Sequence, residues 1–164
     1  MEQSKLKQLL DECETLKTGF KVPVELKESQ YGRGLFVSED VPEGTEIWSP
    51  HQRYYKCKED IMEAIEGAKP EEIAFFFEHL YGEPDGMALC MDMMMFINHG
   101  EGEEVNIRFS VTSSSIAKRD IKKGEELREA YQDFQPKDWF EALAKEMGLM
   151  TADSFVKDLQ ASKK

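Results

Sequence analysis

Leu6, Leu9, Leu10, Cys13 and Leu16 recur at helical spacing between Ser4 and Lys17, so the chain opens with an amphipathic helix that Gly19 is available to stop. The period then changes. Val22, Val24 and Leu26 alternate with Lys21, Glu25 and Lys27, the two-residue rhythm of a half-buried strand. Gly32-Arg33-Gly34 interrupts this strand and Leu35-Phe36-Val37 resumes it. Pro42-Glu43-Gly44 marks a turn before another short strand at Glu46-Ile47-Trp48.

Helical spacing returns in the middle of the chain. Ile61, Met62 and Ile65 share a face within Asp60 to Glu66, and Pro70 opens a second helix with Glu71 and Glu72 at its positive end. Ile73, Phe76, Phe77 and Leu80 form the apolar face of that helix, which reads as core. Gly82 is expected to close it, leaving Tyr81 at its end. Strand signals resume in the apolar run Met87 to Met91 and in the alternation of Val105, Ile107, Phe109 and Val111. Ser115-Ile116-Ala117 and Glu126-Leu127 follow as short strands on either side of the turn Lys122-Lys123-Gly124. From Pro136 onward Trp139, Leu143 and Met147 share one helical face ended by Gly148, and Thr151 is placed to cap a final helix carrying Phe155 and Leu159.

This pattern describes a mostly β fold with a helical insert and C-terminal helices. An N-terminal helix covers residues 1–19, a domain covers 20–135 with its insert near 58–82, and a helical segment covering 136–164 packs on that domain. Only Ala161 to Lys164 are expected to fray.

A length of 164 residues suffices for one core without disulfides or a structural metal. The formal charge of −12 speaks against phosphate-backbone binding, which needs clustered cations, and favours basic protein segments. Cys13, Cys57 and Cys90 are odd in number and far apart, which points to a reducing compartment and away from a zinc site. The start, Met1-Glu2-Gln3-Ser4-Lys5, has no apolar leader region, and no run is long enough to span a bilayer. The expected setting is intracellular, cytoplasmic or nuclear; nothing in the pattern speaks to oligomeric state.

Three pieces carry the chemistry: Gly32-Arg33-Gly34-Leu35-Phe36, then Phe96-Ile97-Asn98-His99 with Asn106 beyond it, then Gly124-Glu125-Glu126-Leu127 ending in Tyr131. In this order, and with a helical insert between the first two, the chain resembles the SET-domain protein lysine methyltransferases over about residues 20 to 140. The resemblance implies the family's β-clip of small curled sheets, in which the C-terminal motif threads a loop to form a pseudoknot. It further implies S-adenosylmethionine as cofactor, a basic protein or peptide such as a histone tail as substrate, and no metal. By the same resemblance Arg33, Gly34, Asn98 and His99 contact the cofactor and Tyr131 is catalytic.

Trp139 and Phe140 are expected to cover the adenine, and Tyr81 and Phe134 to line the lysine channel. The remaining histidines, His51 and His79, read as structural. Two departures from the family pattern stand out: Ala130 occupies a position where the family often carries Asp, and the turn Gly100 to Val105 is two residues longer and lacks a proline. They keep open a catalytically silent SET-like module that binds peptide or cofactor; an unrelated β-rich domain with a structural or small-ligand role and no affinity for S-adenosylmethionine stands as a second alternative.

Overall fold

The computed structural model describes residues 2–110 and 112–163. The chain folds into two compact units. One comprises Thr15–His51 and Cys90–Ala130; the other comprises Met1–Glu14, Gln52–Leu89 and Tyr131–Lys164.

The first unit is built of short strands. β1 (Val24–Ser29) and β2 (Gly32–Val37) form an antiparallel hairpin in which Ser29 pairs with Gly32, so the turn is Gln30-Tyr31 and the strand already runs through the glycine pair that was expected to interrupt it. Gly32 takes φ +95°, a conformation open to glycine at little steric cost. β3 (Glu46–Trp48) joins β8 (Ile107–Phe109) and β9 (Ser115–Ala117) in the order β3-β9-β8. Val111, expected to extend the alternation of β8, lies outside the described residues. β7 (Asn98–His99) and β10 (Arg128–Glu129) pair in parallel.

The segment ahead of β10 is held on both sides. Val37 N donates to Glu125 O and Leu127 N to Leu35 O, which ties it to β2. Gly100 N donates to Glu129 O and Asn106 N to Arg128 O, which ties it to the stretch around β7. Two strands distant in sequence thus trap the C-terminal motif of this unit between them. Leu35, Ile47, Ile121 and Leu127, all fully buried, form the core beneath.

The second unit carries the helices α1 (Lys5–Thr15), α2 (Lys58–Ala64), α3 (Pro70–His79), α4 (Asp138–Met147) and α5 (Ala152–Ser162), with β4 (Gln52–Tyr55), β5 (Tyr81–Glu83) and β6 (Gly86–Cys90) in the order β4-β6-β5. Phe76, Phe77 and Phe140 are fully buried, and Phe77 stacks on Phe140 with ring centroids 5.1 Å apart. Glu72 secures the start of α3: its Oε2 accepts from Lys69 N at 2.9 Å and from Ser4 Oγ at 2.8 Å. These two donors hold the Glu72 carboxyl below the usual carboxylate range.

Two expectations are corrected here. Gly82 does not close α3, which ends at His79; Leu80 is already extended and Tyr81 begins a strand. What requires the glycine is a passing backbone, because a Cβ there would lie 1.7 Å from Gln135 O. Gly148 and Thr151 act as expected. The first is a left-handed helix end at φ 69°, and the second accepts from Ser154 N at 3.1 Å to cap α5.

Candidate functional site

The β1–β2 hairpin presents Arg33 to solvent and turns Gly34 inward. Arg33 lays its guanidinium over the Phe96 ring, 4.6 Å from the centroid. Gly34 has no left-handed φ to explain it; its missing side chain is a matter of space. A Cβ would stand 2.0 Å from Glu126 Oε1 and 2.8 Å from Asn98 Nδ2.

Asn98 and His99 owe their placement to a buried aspartate upstream. Asp92 is fully buried and accepts from Gly19 N at 2.8 Å, Trp48 Nε1 at 3.0 Å and Met94 N at 2.9 Å. It thereby caps the short 3-10 turn Met93–Phe96 that delivers the chain into β7. From β7, Asn98 Nδ2 donates to Arg33 O at 3.0 Å, to Glu126 Oε1 at 2.8 Å and to Ser29 Oγ at 3.3 Å. His99 is 1% exposed, with Nε2 3.5 Å from Glu101 Oε1.

Asn106 lies beyond the lengthened turn, yet its side chain brackets the trapped strand: Nδ2 donates to Glu126 O at 2.8 Å and Oδ1 accepts from Arg128 N at 2.9 Å. The extra residues fold into a 3-10 turn, Gly102–Glu104, and leave Asn106 buried at 1%.

Four charged or polar residues absent from the sequence-based list, Ser29, Glu104, Glu126 and Arg128, complete this cluster. The Glu126 side chain, 8% exposed, accepts from Ser29 Oγ at 2.6 Å on Oε1 and from Arg128 Nη2 at 2.8 Å on Oε2. Arg128 also reaches Glu104 Oε2 at 2.7 Å and lies over the Tyr31 ring. Glu126 stands in the sequence only as a member of the Gly124-Glu125-Glu126-Leu127 run, and nothing in that run marks its side chain, rather than that of Glu125, for the cluster.

The remaining expected site residues belong to the helical unit. Tyr131 starts a 3-10 turn, Tyr131–Asp133, and its ring centroid is 6.5 Å from that of Phe155 on α5. Tyr81 and Phe134 come together edge to face at 5.4 Å. The Tyr81 hydroxyl donates to Gln52 Oε1, and Gln52 Nε2 donates to the Tyr54 hydroxyl, a relay between β5 and β4 that pattern alone did not disclose. Glu83 lies two residues along β5, and burial, with Asp85 adding to it, raises its carboxyl above the ordinary range.

Trp139 packs against Phe140 on α4. Phe140 itself is fully buried against Phe77, so it is core and not the adenine cover that was expected. His79 stacks on Phe75, with Nδ1 2.6 Å from Phe75 O. Among the described residues no helix is long and apolar enough to cross a membrane.

Comparison with known proteins matches the SET domain family to residues 32–132. Among solved structures, the Chaetomium thermophilum Polycomb Repressive Complex 2 bound to GSK126 aligns at a TM-score of 0.53 and 23% identity, over 76% of this chain and 17% of the other. ctPRC2 in an autoinhibited conformation bound to S-adenosylmethionine aligns at 0.52 and 23%, over the same shares. A humanized mutant of the Chaetomium complex bound to GSK343 aligns at 0.51 and 24%, over 79% of this chain and 17% of that one. This chain therefore spans about a sixth of the length of those relatives, and at such identity the likeness is one of fold. Among curated proteins none matches the sequence.

Proposed function

This chain belongs to the SET-domain family, and on that premise we propose that it transfers a methyl group from S-adenosylmethionine to a lysine side chain of a basic protein or peptide, such as a histone tail. The observation that carries the reading is that Arg33-Gly34, Asn98-His99 and the strand from Glu125 to Glu129, far apart in the chain, meet in one unit around the Asn98 amide. The donor set suits this cofactor. Asn98 Oδ1 is an acceptor that no donor among the described residues reaches, which matches an ammonium group, and one structural relative is itself bound to S-adenosylmethionine.

The cofactor would supply a methyl group already activated on a sulfonium. The chain's own residues have the work of positioning. Asn98 and His99 hold polar groups, and Gly34 leaves room for the Glu126 and Asn98 side chains to meet. A lysine amine is protonated at pH 7, and freeing its lone pair costs roughly 4–5 kcal/mol from an ordinary pKa of about 10.4. Aromatic walls such as Tyr81 and Phe134 disfavour the charged form and reduce that cost. A phenol with a pKa of about 10 is a poor base at pH 7, so the role of Tyr131 is to orient the amine by hydrogen bonding. The charge of −12 draws basic segments toward the protein.

Ala130, where the family often carries Asp, favours a second reading, a silent module that binds without turnover. Calorimetric titration with S-adenosylmethionine, followed by incubation of labelled cofactor with histones and mixed cell proteins, separates the readings. Binding with label transfer is expected. Binding without transfer to any of them marks the silent module, and no binding at all ends the proposal.

A further inference from the structure

Glu126 is the group around which the Asn98 cluster is organised, and its chemistry restricts what Asn98 can offer a ligand. A carboxylate accepts hydrogen bonds only, and so does a backbone carbonyl. Asn98 faces one of each, Glu126 Oε1 at 2.8 Å and Arg33 O at 3.0 Å. Both demand the amide NH2, so the Asn98 side chain has one permitted orientation, with Nδ2 inward. Ser29 Oγ agrees, since it donates its proton to Glu126 and is left to accept from Asn98 Nδ2. The amide plane then sends Oδ1 away from the carboxylate, with no donor from the described residues.

Resting on the cofactor reading above, we infer that Glu126 is a positioning residue that fixes the Asn98 amide so that only its oxygen meets the ligand, which selects a cofactor bearing a protonated amine. The charge of Glu126 is not needed to balance Arg128 alone, because Arg128 also pairs with Glu104 at 2.7 Å. What Glu126 supplies is an obligatory acceptor.

Glu126→Gln tests this with nearly no change of shape. Glutamine keeps its oxygen toward the Arg128 guanidinium, which only donates, and so turns its own NH2 toward Asn98. Asn98 Nδ2 then faces a donor from position 126 while Arg33 O still demands it, so neither amide orientation satisfies both neighbours and Oδ1 is no longer held toward the ligand alone. The experiment measures calorimetric affinities of wild type and variant for S-adenosylhomocysteine and for its analogue lacking the α-amino group.

Wild type is expected to prefer the amine-bearing ligand by about tenfold or more, as for a hydrogen bond to a charged group. The variant should lose that preference while holding the desamino analogue within about twofold of wild type. Equal losses for both ligands would assign Glu126 a merely structural role and overturn the inference, as would an undiminished preference. Wild type that binds both ligands alike also overturns it while leaving the cofactor reading intact; wild type that binds neither defeats both.

Should the variant fail to fold, wild type alone decides. The Asn98 side-chain amide protons should stay protected from solvent exchange before and after S-adenosylhomocysteine is added. Nuclear Overhauser contacts between those protons and the bound ligand, meaning that the amide has turned to donate to it, overturn the inference.

Discussion

Glu126 Oε1 occupies the space in which a side chain at position 34 would begin: a Cβ on Gly34 would stand 2.0 Å from it. The carboxylate cannot swing clear cheaply, since Ser29, Asn98 and Arg128 all bond to it. Gly34→Ala should therefore cost about 1–3 kcal/mol through overpacking and weaken S-adenosylmethionine binding with it, because the same shift disturbs Asn98. Urea denaturation and calorimetric titration of one variant check both. Unchanged cofactor affinity alongside lost stability would detach Gly34 from the binding role.

Gly82 is crowded in a harder way, by the Gln135 backbone 1.7 Å from a Cβ. Gly44, by contrast, has open space and a φ of +85°. Gly44→Ala should lose only the left-handed strain of about 1–2 kcal/mol, whereas Gly82→Ala must displace chain leading into α4 and should lose more. Denaturant midpoints of the two variants, compared directly, should rank in that order.

Tyr131→Phe keeps the ring that meets Phe155 and deletes the hydroxyl. If that hydroxyl orients the lysine amine, methyl transfer should fall by at least about a hundredfold, within the range of positioned catalytic groups, while cofactor affinity stays nearly unchanged. Asn98→Ala should weaken cofactor affinity first. Single-turnover transfer and titration on both variants give the test, and equal loss of both properties in Tyr131→Phe would reassign Tyr131 to folding.

Burial raises the Glu141 carboxyl above its ordinary range, and its Oε1 has no hydrogen-bond partner among the described residues. The folded protein thus holds this proton more tightly than the unfolded chain. The contribution to stability is present in full below the unfolded pKa and is lost as pH rises through the raised folded value. Glu141→Gln should remove that loss. The melting temperatures of variant and wild type should nearly coincide at about pH 4 and separate in favour of the variant at about pH 7. The gain should be under about 1 kcal/mol because the group is part exposed. A variant less stable at the higher pH would contradict the assignment.

Helix positions were legible because amphipathic spacing is a local property: Leu6, Leu10 and Cys13 are the buried face of α1, and Thr151 and Gly148 sit where capping chemistry put them. The hairpin turn was misplaced, as glycine is an ambiguous mark. At Gly32 it signals a positive φ, while at Gly34 and Gly82 it signals a neighbour distant in sequence. Nothing local distinguishes these cases.

Residue types and spacing by themselves determined the order of elements, the apolar faces and the three motifs that resemble the SET-domain family. Only the tertiary structure decided which polar atoms those motifs spend on each other. Asn98 and Glu126 are 28 residues apart and meet at 2.8 Å, and whether an amide shows a ligand its oxygen or its nitrogen depends on which partners the fold brings to its other side. Hydrophobic periodicity acts along the chain, where it can be read; the pairing of hydrogen-bond donors with acceptors acts across the fold and leaves no periodic trace in sequence.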